Sequence, residues 1–363
     1  MEKIYYKASQ LKLVFIINTE GQAHTWKNIA KEFVHNQNNV SIFARDYGKT
    51  LKLLDQEGFM YKSFKPIKNR LFKALDIFKH SILGLNLRLT SETKLIIGFG
   101  VDANVVAKMA GVPSIIFTDS EPNGIQNILI KWFSDCIITP AKFGLNLGKK
   151  HLRIPSYKEL AYLHPNHFTP DPSIKKELAL NDTDKYAILR FNGFDAVHDI
   201  GRTGFSLRDK YALVENLKPY LKVLISSEVE LPGDLQQYAI NISYQRIHHA
   251  LYYADLLIAD TGTMATEASV LGTPTIMCLS NYKEFGNFVE LENDYDLMYA
   301  FSNSNLAIKK ALELVQEPDL KTKWRNKRSK LLEDKIDLTS FTVDLISRWP
   351  ESFNELKASK VDK

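Results

Sequence analysis

Residues 255–278 read DLLIADTGTMATEASVLGTPTIMC, and that stretch leaves few folds open. Asp255 to Asp260 is a short apolar run of strand type, Thr261 to Thr263 is small and polar with a glycine at its centre, and Met264 to Leu271 has helical spacing. A strand, a tight turn and a helix start in that order belong to a parallel α/β sheet. The N–H groups at such a helix start, reinforced by the helix dipole, suit a phosphate, and Gly262 with Thr263 leaves room for one to approach the backbone. Glu267 lies about one turn further in, where a carboxylate can accept hydrogen bonds from a ribose diol. A bare turn of this kind is common in α/β proteins, so its meaning depends on the rest of the chain.

The rest of the chain repeats the alternation. Leu11 to Ile17, Val40 to Ala44, Phe59 to Phe64, Lys94 to Phe99, Ser114 to Thr118 and Cys136 to Thr139 read as strands. His24 to Asn36, Asp46 to Glu57, Val101 to Ala110 and Asn123 to Phe133 read as the helices among them. From Leu152 to Pro172 the text carries four prolines and little periodicity, which marks a domain boundary. Alternation then resumes with strands at Tyr186 to Phe191, Val223 to Ser227, Leu256 to Asp260 and Thr275 to Cys278. The expected division is residues 1–165 and 166–363, with helices at Leu320 to Leu332 and Leu338 to Trp349 closing the second domain. The fold class is therefore α/β, two doubly wound Rossmann-like domains facing a crevice, with ligands outside the carboxyl ends of the strands.

Composition narrows the function. With 45% hydrophobic and 25% charged residues the chain reads as soluble and globular. No apolar run approaches the roughly 20 residues that cross a bilayer, and MEKIYYKASQLK has no signal-peptide pattern, so a cytoplasmic location is expected. Cys136 and Cys278 sit in apolar runs of different halves and read as buried free thiols. A net charge of +5 does not imply nucleic acid, and none is expected as a partner. The positive charge is uneven, because 61–88 carries Lys62, Lys65, Lys68, Arg70, Lys73, Lys79 and Arg88 against Asp76. Apolar residues recur there at three and four residue intervals, the pattern of a basic amphipathic helix. Such a helix suits peripheral contact with an anionic membrane; the alternative is a core-packed helix with a solvated basic side.

With the halves laid out, D260-T261-G262-T263-M264-A265-T266-E267-A268 followed by L271-G272-T273-P274 resembles the glycosyltransferase-B fold. The local motif is similar to that of the non-hydrolysing UDP-N-acetylglucosamine 2-epimerases, whose turn reads Asp-Ser-Gly-Gly, then a hydrophobic residue, then Glu followed by Ala. From about Leu11 to Leu345 the chain also resembles an uncharacterised archaeal and bacterial family of that fold, through the phrases ARDYGKT, KELAYLHP, ISSEVELP, LYYADLLIADTGTMATEA, GNFVELE and LLEDKID.

The resemblance implies that Thr261, Gly262 and Thr263 hold the diphosphate of a nucleotide-sugar and that Glu267 holds its ribose. Thr263 stands where the epimerases have a second glycine. Arg246 stands where such folds contact the base, with a surface arginine as the alternative. Asp102 in GFGVDANVVA is near the aspartate of the epimerase Gly-Asp-Thr loop, and Glu121 in FTDSEPNG is near the glutamate of its Val-Glu-Ala-Gly loop. Both follow strands, where a partly desolvated carboxylate serves as a general base, though a helix N-terminus also favours an acid. Asp119 beside Glu121 is expected to couple to it as a like charge.

His24, after Asn18-Thr19-Glu20-Gly21, reads as the start of the first helix, where transferases of this fold bind the acceptor and place a base. Asn18 is expected to touch substrate there. Arg190 and His198 in LRFNGFDAVHD follow the first strand of the second half; Arg190 matches a leaving phosphate, and His198 is near the histidine of an epimerase Val-His-Arg segment. Ser226, Ser227 and Glu228 end the next strand and are expected to line the donor site.

Other patterns carry less. Asp182-Thr183-Asp184 and Asp294-Tyr295-Asp296 spell Asp-x-Asp in a turn and a loop, and His248-His249 and His164 with His167 lack a third ligand, so no metal and no cofactor are expected. No Gly-x-Gly-x-x-Gly follows the first strand, which argues against a dinucleotide oxidoreductase. The leading expectation is a metal-independent transferase that moves the sugar of a nucleotide-diphosphate sugar, UDP-linked, to a polysaccharide or glycolipid acceptor. The alternatives are a sugar-nucleotide 2-epimerase or hydrolase using Asp102, Glu121 and His198, and a non-catalytic scaffold of this fold.

Overall fold

The computed structural model describes residues 10–65, 82–83, 85–88, 93–191, 204–227 and 230–359. The chain divides into two compact units, Met1–Tyr162 with Asp337–Lys363, and Leu163–Ile336. Each is a parallel α/β sheet with helices in the crossovers.

In the first unit, strands β1 (Lys12–Ile17), β2 (Asn39–Arg45), β3 (Lys62–Phe64), β4 (Leu95–Phe99), β5 (Ser114–Phe117), β6 (Cys136–Pro140) and β7 (His151–Ile154) form a sheet in the order β3-β2-β1-β4-β5-β6-β7. The crossovers carry α1 (Glu20–His35), α2 (Thr50–Gln56), α3 (Gly100–Ala110) and α4 (Gly124–Phe133). The continuous apolar text of the inner strands follows from burial on both faces. Val14, Ile16, Ile96, Ile116 and Ile137 join Ala103, Val106, Ala107 and Ile130 on one face. Phe15, Phe99 and Phe117 take the other: the Trp26 ring of α1 lies 5.7, 5.3 and 5.0 Å from theirs. Gly98 is required where α3 crosses β4, because a Cβ there would come within 2.6 Å of the Ala103 Cβ.

In the second unit, β8 (Tyr186–Phe191), β9 (Lys222–Ser227), β10 (Leu256–Ala259), β11 (Thr275–Cys278) and β12 (Met298–Phe301) stand in the order β12-β11-β10-β8-β9. Its longer helices are α5 (Leu207–Leu217), α6 (Ile247–Tyr253), α7 (Gly262–Leu271), α8 (Gly286–Asn293), α9 (Ser304–Val315) and α10 (Leu320–Asp334). Every residue of α7 from Met264 to Leu271 is buried. Its C-terminal carbonyls are capped by arginines of α10: Arg325 donates to Leu271 O at 2.6 Å and Arg328 to Val270 O at 2.8 Å, while Arg325 also donates to Tyr252 O of α6 at 2.5 Å.

Three expectations need correction. Helices α11 (Leu338–Ser347) and α12 (Glu351–Ala358) belong to the first unit rather than closing the second. Helix α11 packs on α1, and Thr339 Oγ1 donates to Ala161 O at 2.7 Å, so the chain end is held where the first unit stops. The sheets are each one strand wider than expected, by β7 and β12, which are four-residue edge strands too short to stand out from their neighbours. The basic stretch 61–88 opens as strand β3, and only 82–83 and 85–88 of it are seen as helix; 66–81 and 84 lie outside the described residues. Among the described residues no helix is long and apolar enough to cross a membrane. Both cysteines are buried and free.

Candidate functional site at the carboxyl ends of the strands

The carboxyl edge of the second sheet gathers most of the residues singled out for a donor. Arg190 and Ser226 are register partners on β8 and β9, and Arg190 Nη1 donates to Ser226 Oγ at 3.1 Å. Ala259 pairs with Arg190 on the other side, and the Asp260 N–H donates to Arg190 O at 3.1 Å. The chain turns there into α7, with Thr261 as N-cap in extended backbone. The Thr261 side chain does not cap the helix, and its Oγ1 is buried without a hydrogen-bond partner among the described residues. Gly262 and Thr263 open the helix with their amides free of i−4 partners, as a helix start requires.

Gly262 has a second reason to be glycine. A Cβ at that position would lie 2.3 Å from Phe288 Cζ, so the ring of α8 packs directly on the turn. Asn287 precedes Phe288 in the first turn of α8. Asn287 is buried, and its Oδ1 has no partner among the described residues. An unsatisfied hydroxyl, an arginine and a helix N-terminus at one strand edge suit an anion. Neither Asn287 nor its neighbour Phe288 was flagged from sequence, although both stand in the phrase GNFVELE.

Glu267 and Arg246 are placed differently from expectation. Glu267 is buried inside the unit, and its Oε1 lies 3.0 Å from Nε2 of His248, itself buried on α6. Sequence reasoning weighed His248 only as a metal ligand and missed this partnership, which depends on how α6 packs on α7. Arg246 heads α6, but its guanidinium is held by Asp171 at 2.8 Å, Glu177 at 2.7 Å and Ser173 Oγ at 2.9 Å. Hydrogen bonds from Ser173, with Arg246 adding to them, hold Asp171 down to about 2. Arg246 thus takes the alternative reading, an ion-paired arginine near the surface. Ser227 ends β9 with Phe191 as its register partner. His198 and Glu228 lie outside the described residues.

The carboxyl edge of the first sheet forms a small recess lined by Phe117, Thr118, Asp119, Thr139, Tyr157 and Lys158 among others. Lys158 Nζ is ion-paired with the Asp119 carboxylate and lies 3.4 Å from Glu159 Oε1. Burial alone would discharge this ammonium, yet the two carboxylates outweigh it and hold Lys158 above the usual lysine range. Asp119 is therefore paired with a cation. Glu121 points its Oε1 at the Gly144 N–H, 3.3 Å away. Lys158 was not flagged from sequence, although KELAYLHP begins with it.

Asn18, Asp102 and His24 complete the first unit's candidates. Asn18 is buried at the end of β1; its N–H donates to Gln22 Oε1 at 2.8 Å and its Oδ1 has no partner among the described residues. Asp102 is half-buried in the first turn of α3, where the helix dipole favours it. His24 does not start its helix. Thr19 caps α1, accepting from Gln22 N, and Glu20 fills the first turn, so His24 falls one turn inside. It is buried there with its ring stacked on Tyr162 at 5.1 Å between centroids.

A family profile described as "Protein of unknown function (DUF354)" matches residues 11–347. The chain is a member of that family. This DUF354 protein is 24% identical over 277 residues to the uncharacterized protein MJ0665 of Methanocaldococcus jannaschii, covering 70% of this chain and 78% of that one. Its structure is similar to UDP-GlcNAc 2-epimerase from Neisseria meningitidis bound to UDP-GlcNAc, with a TM-score of 0.63 at 13% identity over 95% of this chain and 100% of the other. It is equally similar to the spinosyn forosaminyltransferase SpnP, with a TM-score of 0.63 at 12% identity over 95% and 100%. At such identities the likeness shows the fold, and the DUF354 protein has the two Rossmann-like domains of the glycosyltransferase-B class.

Proposed function

We propose that the protein is a metal-independent glycosyltransferase that binds a nucleotide-diphosphate sugar, UDP-linked, and passes the sugar to a polysaccharide or glycolipid acceptor in the cytoplasm, at the membrane's inner face. The observation that carries the reading is the start of α7, where a helix N-terminus adjoins Arg190 and the unsatisfied Thr261 Oγ1. The amides of Thr261 to Thr263 and the Arg190 guanidinium take the diphosphate, and their fixed dipoles stabilise the charge that grows on it as the sugar leaves. In the first unit, Glu121 serves as the base for an acceptor hydroxyl, a better candidate than the buried His24. The UDP-GlcNAc bound by the epimerase of similar structure supports the class of donor.

The same likeness gives the second reading, an epimerase or hydrolase with Asp102 and Glu121 in acid and base roles. One experiment addresses both. Thermal unfolding is followed against nucleotides and nucleotide-sugars, and the stabilising compound is then incubated with the protein and its products are analysed. A ligand at about one hundred times its dissociation constant stabilises the native state by roughly 2.7 kcal/mol. Stabilisation by a UDP-sugar that stays intact until an acceptor is added supports transfer, whereas conversion of the sugar without acceptor supports epimerisation. No shift with any nucleotide would remove both enzymatic readings.

A further inference from the structure

One layer of the first unit turns an apolar helix face to solvent. Helix α4 buries Asn127 and Ile130, yet Ile125, Ile128, Trp132 and Phe133 are 79%, 57%, 73% and 43% exposed. Intervals of three and four residues set Ile125, Ile128 and Trp132 in one stripe along the helix. Single exposed apolar residues need no explanation, but a contiguous stripe of large ones marks an interaction surface. The helical residues 82–83 and 85–88 belong to the same layer, since Leu83 and Leu87 pack with Ala103, Val106 and Ala107 of α3 and with Ile130 of α4. Ile82 and Leu85 of that stretch are also exposed.

The charge around this face is mostly positive. Lys108 near the end of α3, Lys131 in α4, Lys149 and Lys150 before β7 and Arg88 are all exposed. Lys108, Gly111, Trp132, Phe133, Asp135 and Lys150 line one groove, and Arg88 Nε reaches within 4.0 Å of the Cβ position of Gly111. The acid in the groove is already engaged: Asp135 accepts from Ser114 N at 3.1 Å and lies 3.8 Å from Lys150 Nζ.

We propose that this face docks on an anionic lipid bilayer, with Ile125, Ile128 and Trp132 in the boundary between headgroups and acyl chains and the surrounding lysines on the headgroup charge. An apolar stripe flanked by cations and ending in tryptophan has the composition that lies in that boundary. Charge decides against a second copy of the chain as occupant, because a two-fold contact here would set these cations against their own symmetry mates. The docking surface does not depend on the identity of any sugar donor.

The test is flotation of the full-length protein with vesicles of phosphatidylcholine alone and with phosphatidylglycerol added. Two variants accompany the wild type, Ile125→Ser with Ile128→Ser and Trp132→Ser, and Lys108→Glu with Lys131→Glu and Lys149→Glu. All six side chains are exposed, so both variants are expected to keep the wild-type unfolding midpoint, which is measured alongside. The expected result is flotation of the wild type with the anionic vesicles only, and a loss of at least about tenfold in bound protein for each variant. Failure of the wild type to float, or equal flotation of wild type and the serine variant, overturns the proposal. So does a wild-type dimer in sedimentation velocity that the serine variant dissolves while no vesicle is bound; a second copy would then cover the face.

Discussion

His248 Nε2 and Glu267 Oε1 lie 3.0 Å apart, and each residue is only 5% exposed. The pair joins α6 to the buried helix α7, whose first turn is the proposed diphosphate site. Taking away one partner strands the other without its hydrogen bond, at a cost of about 2–4 kcal/mol. Glu267→Ala and His248→Ala should each lose about that much in urea denaturation without ligand, and the double variant should lose less than the two together. A Glu267→Ala protein as stable as wild type would show that the pair holds nothing together.

Phe288 on Gly262 gives the second prediction. Alanine at Gly262 meets the ring at 2.3 Å, an overpacking worth about 1–3 kcal/mol. In a Phe288→Ala background the same substitution should be nearly neutral. Equilibrium denaturation of the four proteins measures the coupling; equal costs in both backgrounds would mean that the turn yields elsewhere.

Thr261 separates binding from stability. Its hydroxyl has no partner among the described residues, so Thr261→Val should leave the ligand-free protein within about 1 kcal/mol of wild type. Nucleotide-sugar binding should weaken by about tenfold, as it should more steeply in Arg190→Met, which loses the cation. Isothermal titration with UDP-sugar reads both, and unchanged affinity in the two variants would move the diphosphate away from this turn.

Lys321 sets a pH dependence. Burial pulls its ammonium down to about 8, with Asp255 opposing and Arg325 and Lys175 adding to the effect in a smaller degree. An unfolded lysine titrates near 10.4, so between about pH 8 and pH 10 the unfolded chain binds more protons than the native one. Stability from this group therefore rises across that window and is lost as pH falls through about 8. Denaturation midpoints of wild type and Lys321→Met, compared across the window, should converge in slope everywhere except there; parallel curves throughout would contradict the placement of Lys321.

Much of the chemistry at the strand ends was readable as text. Arg190, Ser226 and Thr261 to Thr263 were picked out because apolar strands end beside them, and the structure gathers them on one sheet edge. Lys158 and His248 were not, since each acquires its meaning from a partner on another element: Asp119 for Lys158 and Glu267 for His248. His24 was misplaced by four residues of helix, because Thr19 and Gln22 cap the chain earlier than the apolar periodicity suggests.

The sequence by itself determined the alternation of strands and helices, the parallel sheets and the strand-turn-helix at Asp260, because each is encoded in local period and turn chemistry. Tertiary structure alone decided that β7 and β12 complete the sheet edges, that α11 and α12 return to the first unit, and that Glu267 faces His248 inside the protein. These are choices among partners far apart in the chain, and burial area and hydrogen-bond satisfaction settle them only once the elements have packed.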